Sequence, residues 1–439
     1  MRNIFILFLL TGFIQSCDTS PQIEGSSSFV IGQKITVELK KGEDLTANQF
    51  KIIDAMGNLF PSSNEFLEYQ YLEKNKFSFR IPPGIANGDA VLEVGSKDGS
   101  YSLDIHIHRG IAYVDGSGML KMISKGYPDK VLREVSVDSG DVKLKIINKK
   151  SDIITLSLTT GRIDWLILDT EKTSSFGLKV PSTKIETDTE GVNAIPSDVV
   201  GVEKGLVIAT NKGLGGLAIR SAGSGTDVLF DSWISNIASF TAVDISTPDD
   251  EVQTKILVAV GGSNQNESVM VAMDADSLPR STTIKKSWIL SADDSSVSDV
   301  CISVDGNLAA AVIPNSNTLS LVNISESSSE PVPSTLSECQ MPLEVFFVDS
   351  NQKVAVLCEG NYAVQFFTIS GTTANPGNLL TVGNAENKPR TMYYSDESKL
   401  LYIASDLGIQ FIDTSSSNPS VQTIPGTESL NLTSFVVQP

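Results

Sequence analysis

One pattern constrains this chain more than any other: between Ser298 and Asp413 the sequence says nearly the same thing three times. In the first copy an apolar run, Val300 to Val304, reaches Asp305-Gly306; a second run, Leu308 to Ile313, ends in the polar turn Pro314 to Asn317; a third covers Leu319 to Ile324. The second copy reads Val345 to Val348, Asp349-Ser350-Asn351, Val354 to Leu357, the turn Glu359-Gly360-Asn361, then Ala363 to Ile369. The third reads Met392 to Tyr394, Ser395-Asp396-Glu397-Ser398, Leu400 to Ala404, the turn Ser405-Asp406-Leu407-Gly408, then Ile409 to Asp413. Such short apolar runs between turn residues are strands. Asp305, Asp349 and Asp396 mark intervals of 44 and 47 residues, the length of one four-stranded antiparallel blade.

Looser copies precede these three. Ala242 to Ile245, Ile256 to Val260 and Val269 to Met273 form one, stretched by Ser246 to Thr254; Val199 to Val202, Leu206 to Thr210 and Leu217 to Ile219 form another; Leu144 to Ile147, Ile153 to Leu158 and Ile163 to Leu168 form a third. The earliest copy, Ile111 to Val114, Leu120 to Ile123 and Val131 to Val135, has only three strands, and Leu432 to Val437 is a strand without a blade. Joining the two closes a ring and removes the exposed edges of an open sheet array. The count is then seven blades, with six or eight open to a different division of the looser copies. No window shows the spacing of an amphipathic helix, which sets aside a βαβ or doubly wound fold. The fold class expected is all-β: a small immunoglobulin-like sandwich followed by a seven-bladed β-propeller.

The first residues carry a different signal. Met1-Arg2-Asn3 is a short positive segment, Ile4 to Leu10 is continuously apolar, and Thr11 to Ser16 turns small and polar before Cys17. This is the layout of a secretion signal, and the apolar run is shorter than the roughly 20 residues that span a bilayer. Ile14-Gln15-Ser16-Cys17 resembles the lipobox of bacterial lipoproteins, with an aliphatic residue at −3 and a small one at −1; Gln15 departs from the usual small residue at −2. The resemblance implies cleavage after Ser16 and a thioether-linked lipid on Cys17. Residues 1–16 are then the signal peptide and 17–28, with Pro21, Gly25 and a serine triplet, the lipid anchor and tether. The chain would sit in a bacterial cell envelope, held to a membrane by the lipid and facing periplasm or cell surface.

From Phe29 the pattern alternates. Phe29 to Val37, Phe79-Arg80-Ile81-Pro82-Pro83-Gly84, Gly88, Val91 to Val94 and Gly99-Ser100-Tyr101 are similar to an IPT/TIG immunoglobulin-like domain over residues 29–109, which implies a spacer or adhesive module. His106 and His108 are the chain's two histidines. Two residues apart on a strand they share a face, half of a metal site with no local third ligand; solvated or packed strand residues are the plainer reading. Residues 110–439 form the propeller closed by its C-terminal strand. Its hairpins resemble those of divergent YVTN-type and lactonase-like propellers; the Gly-His and Trp-Asp dipeptides of another propeller class are missing.

With 33 Lys+Arg against 52 Asp+Glu the formal charge is −19, which argues against nucleic acid, since phosphate binding needs a basic face. The propeller has no histidine, hence no Ser/His/Asp triad, Cys/His pair or His-bound metal. Asp305, Asp349 and Asp396 are expected to form turns. Asp274-Ala275-Asp276 and Asp293-Asp294 lack the glycine-spaced loop of a calcium hand, and Gly213 to Gly216 lies between strands with no helix to hold a phosphate. No catalytic residue, metal site or cofactor is assigned. An antiparallel hairpin around Asp349–Asn351 sets Cys358 opposite Pro342, near Cys339; Cys339–Cys358 is the disulfide expected in an exported chain, with Cys301 a buried thiol. Two functions fit: a non-catalytic envelope lipoprotein whose propeller binds a protein or glycan partner, and a lactonase-like enzyme working in the propeller funnel.

Overall fold

The computed structural model describes the strands from residue 22 onward and, without a break, residues 296–326, 329–396 and 398–428; residues 1–21 and many connecting loops before residue 296 lie outside the described residues. Among the described residues every extended element is a strand. No helix among the described residues is long and apolar enough to cross a membrane.

The first unit is a two-sheet sandwich. One sheet orders Gln22–Ile23, Lys34–Glu38, Lys76–Arg80 and Gln70–Glu73; the other orders Ser28–Val30, Gly99–His108, Gly88–Ser96, Phe50–Ile53 and Leu59–Pro61. Alternation decides what faces inward: Ile35, Val37, Phe77 and Phe79 from one sheet meet Phe50, Ile52, Leu92, Val94, Ile105 and Ile107 from the other in one core. The hairpin Phe50–Pro61 turns where Asp54 accepts the Asn58 N–H at 2.8 Å and Gly57 takes a φ of 83°.

Among the described residues the second unit shows seven antiparallel sheets, blades one to seven. Blades two to seven begin, from the inside, with Val142–Ile147, Ile195–Val202, Ile237–Ile245, Asp299–Ile302, Pro342–Val348 and Pro389–Ser395. Blade one takes its innermost strand, Leu432–Val437, from the far end of the chain; Ile111 pairs with Val437 and Val114 with Ser434. Each innermost strand lies against the next around the ring, and Leu432–Val437 touches both Pro389–Ser395 and Val142–Ile147. Seven strands thus enclose one axis.

Burial grades outward. In blade five the second strand, Leu308–Ile313, is buried on both faces after its first residue, because a neighbouring blade covers each side. Its outermost strand, Val332–Thr335, alternates half-buried and exposed. The ring has a series of cores between blades rather than a single one. Val258, Val260, Met270 and Trp288 of blade four pack against Val300, Ile302, Ala309 and Ala311 of blade five, and Tyr402 and Ile409 of blade seven pack against Ile111, Tyr113 and Phe435 of blade one. Close packing of this kind fixes blade against blade.

Candidate functional site

The axis is lined by charge. On the innermost strands of blades three, five and six a carboxylate immediately precedes an apolar run: Asp198, Asp299 and Glu344. Each accepts a backbone N–H from the innermost strand of the following blade. Val243 N–H donates to Asp198 Oδ2 (3.1 Å), Val345 N–H to Asp299 Oδ2 (2.9 Å) and Met392 N–H to Glu344 Oε2 (2.6 Å), with Thr391 Oγ1 donating to Glu344 Oε1 at 2.8 Å. Blade four has Ala242 at the equivalent place and carries its acid two residues on, on the same face, as Asp244; its Oδ2 accepts Ile302 N–H at 2.9 Å, two residues beyond Val300. Between blades one and two a hydroxyl performs the same task, Ser434 Oγ accepting Leu144 N–H at 3.2 Å. The pattern is a chain of clasps running from blade to blade. A hydrogen bond to a charged group contributes roughly 1.5–3 kcal/mol.

Blade two answers these acids. Its innermost strand places Lys143 and Lys145 on one face, alternating with buried Val142 and Leu144. Burial alone would lower the Lys145 pKa; the carboxylates of Asp198, Asp299, Asp244 and Glu344 outweigh it and raise it. Burial raises Asp244 against the pull of Lys145 and the Ile302 N–H. It raises Glu344 against Lys143 and its hydrogen bonds. Asp299 is pushed up to about 8, first by burial and then by the negative charges of Glu344 and Asp198, with Lys145 opposing. Asp244, Asp299, Glu344 and Lys145 are half-buried, each on the innermost strand of its blade. The negative charges of Asp299 and Glu344 each make the other harder to ionise.

A second constructed region lies at the end of the ring where blade five hands over to blade six. Pro342 pairs with Cys358, and Cys339, in the loop before it, is disulfide-bonded to Cys358 with the two Cα atoms 5.2 Å apart. Around the bond Met341 N–H donates to Asn317 Oδ1 (2.7 Å), Gln340 N–H to Asn361 Oδ1 (3.1 Å), and Asn361 Nδ2 to the Glu338 carbonyl (2.6 Å). Gly360 N–H donates to the Gln340 carbonyl at 2.9 Å, and a Cβ on Gly360 would stand 2.9 Å from the Gln340 Cβ. Cys301 is buried on the innermost strand of blade five; burial pushes its thiol well above the ordinary range, with Asp244 adding to the rise.

The other residues singled out by sequence fall as follows. Cys17, Asp276, Asp293 and Asp294 lie outside the described residues, as do positions 213–215 of the glycine run. His106 Nδ1 lies 2.6 Å from Asp89 Oδ1 on the sandwich surface, and Asp274 faces Lys285 at 3.9 Å. Among the described residues no group of three or more His, Cys, Asp or Glu is arranged to hold a metal ion. Asp305 forms a turn, accepting Ser303 Oγ and Asn307 N–H, with Gly306 at a φ of 72°. Asp349 does more than turn the chain: it accepts Lys353 Nζ at 2.7 Å and Thr414 Oγ1 at 2.6 Å, reaching blade seven. The axial acids and lysines were not singled out from sequence. Their signal is faint: Asp299 and Glu344 each stand directly before the first valine of consecutive copies.

No family model matches this sequence, and no curated protein matches it. Its fold has many likenesses among solved structures. A functionally unknown protein from Desulfotomaculum acetoxidans aligns with a TM-score of 0.52 at 12% identity, covering 75% of this chain and 98% of that one. A putative 6-phosphogluconolactonase from Bacteroides fragilis aligns with a TM-score of 0.52 at 11% identity, over 75% and 98%. Hydrazine synthase from Kuenenia stuttgartiensis aligns with a TM-score of 0.51 at 12% identity, over 76% and 92%. The class defined is therefore an all-β chain, a small sandwich followed by a seven-bladed propeller. At such identities the likeness is one of fold and carries no activity with it.

Proposed function

We propose that this chain is a non-catalytic cell-envelope lipoprotein, anchored through Cys17, whose IPT/TIG-like sandwich holds a partner-binding propeller off the membrane. One observation carries the reading. The charged side chains at the axis, where a funnel enzyme keeps its reacting groups, are engaged in clasping blade to blade: Asp198, Asp244, Asp299 and Glu344 each accept a backbone N–H of the neighbouring blade. With those groups holding the ring, the loops at its ends remain for recognition. The partner is an envelope protein or glycan. Export is supported by the disulfide Cys339–Cys358.

The rival reading, a lactonase-like hydrolase, draws on the fold likeness to the Bacteroides fragilis protein. A screen of sugar lactones and simple γ- and δ-lactones, with and without calcium, separates the two. The binding reading expects hydrolysis at the rate of buffer alone; turnover abolished by Asp299→Asn in a protein that keeps its melting temperature would establish the rival. Metabolic labelling with a fatty acid tests the anchor: the wild type should carry label and Cys17→Ser should carry none.

A further inference from the structure

Met341 and Leu379 are two of the few large apolar side chains that the described residues expose, at 53% and 37%, and both belong to the boundary of blades five and six. Met341 ends the loop from blade five to blade six. Leu379, on the outermost strand Thr373–Thr381 of blade six, pairs with Gln365, whose Nε2 donates to Glu338 Oε2 at 3.3 Å. Leu379 is thus brought, through Gln365, beside the side chain of Glu338, which lies three residues before Met341. Glu359 borders the same loop, its N–H donating to the Met341 carbonyl at 3.1 Å.

The backbone under Met341 is informative. Its φ is 50°, a conformation that glycine takes freely and a methionine takes at a cost. Folding alone would favour glycine there, or a polar residue toward solvent. The chain instead presents an apolar side chain on a strained residue, braced by the disulfide, by Asn317 and by Asn361. Strained residues held by their surroundings concentrate at sites of recognition. A braced loop loses little freedom when a partner settles on it, and methionine adapts its shape to what it meets.

We propose that the boundary of blades five and six, centred on Met341, Glu338 and Leu379, is the docking site for a basic segment of a partner protein. This names the site and partner chemistry of the binding role above and rests on it. The acids decide among occupants. A second copy would bring a charge of −19 against −19, and its own Glu338 toward this one. Among the described residues the Glu338 carboxylate is met by the neutral Gln365 amide, and a neutral glycan would add no counter-charge. A lysine or arginine beside an apolar side chain answers both the carboxylate and the Met341–Leu379 pair. Glu359 is already answered by Lys388 at 3.7 Å, which leaves Glu338 as the acid for the partner's cation.

The test uses the full-length protein in the cells that make it, with a benzophenone photo-crosslinker at position 341 and, as control, at Ile289, an exposed apolar residue of blade four. One protein adduct of defined mass at 341 and none at 289 is expected. That protein, purified, should bind wild type at least tenfold more tightly than Met341→Ser or Glu338→Lys, and should weaken as salt rises. Melting temperatures of the variants within about 2 °C of wild type would show that they fold. Carbohydrate adducts at 341, or equal adducts at both positions, overturn the proposal. A protein partner whose affinity for both variants is unchanged overturns this surface while leaving the binding role intact. No adduct at 341 or 289, nor at positions spread around both ends of the ring, counts against both.

Discussion

The axis of the ring and the loop at the boundary of blades five and six solve one problem in two chemistries. Both must tie the start of one blade to its neighbour. At the axis the acceptor is a carboxylate, and four acids gathered around two lysines make the tie electrostatic. At the loop the acceptors are the neutral amides of Asn317 and Asn361, backed by a covalent bond. Charge suits the axis because Lys143 and Lys145 are there to answer it; the amides of Asn317 and Asn361 need no counter-charge. The consequence is that the axis responds to pH and the loop to reductant.

The largest break in that contrast comes from Lys145→Met. Lys145 would no longer answer the four acids, and removing one partner of a buried ionic group costs roughly 3–5 kcal/mol. Calorimetry should show a melting temperature lower by about 6–10 °C, with much of the loss restored by adding Asp299→Asn. An unchanged melting temperature would mean that the axial charges do not hold the ring.

The second effect is the pH dependence itself. An unfolded aspartate titrates near 3.9, and Asp299 in the ring near about 8. A carboxylate raised on folding contributes stability that is fully present below its unfolded pKa and is lost as pH rises through its folded pKa. Stability should therefore fall between pH 4 and pH 8, by up to about 1.4 kcal/mol per unit for each such group. Denaturant midpoints at pH 5 and pH 8.5 should differ in wild type, and the difference should shrink in Asp299→Asn. A profile that rises across this range would reverse the assignment.

Next in size is the disulfide. Replacing Cys339 and Cys358 with serine removes a closed loop of sequence separation 19 and should cost about 2–3 kcal/mol. Unlike the axial effect, the loss should be the same at pH 5 and pH 8.5. The smallest change is Asn317→Ala, which leaves the Met341 N–H without its side-chain acceptor, for about 1 kcal/mol. Hydrogen exchange should quicken at the Met341 amide and stay unaltered at Val345, whose N–H is bound to Asp299.

The blades could be read from sequence and the axis could not, and the reason lies in period. Leu308–Ile313 and Lys353–Cys358 are almost wholly apolar and end in turn residues, so each declares itself within a few positions. Asp299 and Glu344 are single charges in front of an apolar run, where a strand boundary usually puts one. Lys143 and Lys145 alternate with apolar residues as on any half-exposed strand. What makes them a site is that strands far apart in sequence converge on one axis, and only the closed ring supplies that. The hairpin aspartates were legible as turns, but the reach of Asp349 to Thr414 was not. The pairing of Pro342 with Cys358 is a local matter of hairpin geometry, so the neighbourhood of Cys339 could be reasoned from spacing alone.

The strand Leu432–Val437 has a bearing on how the molecule is made. Ile111 pairs with Val437, so nearly the whole ring is synthesised between the two. Until those late residues emerge, Gly110–Asp115 offers an open edge to any passing strand, and the lysine-bearing strand of blade two lacks the clasp that Ser434 supplies. A chain threaded through a membrane start-first would reach the far side in that unfinished state. The interval before the final strand arrives is when a holding chaperone would matter most, and contact order makes it a slow one.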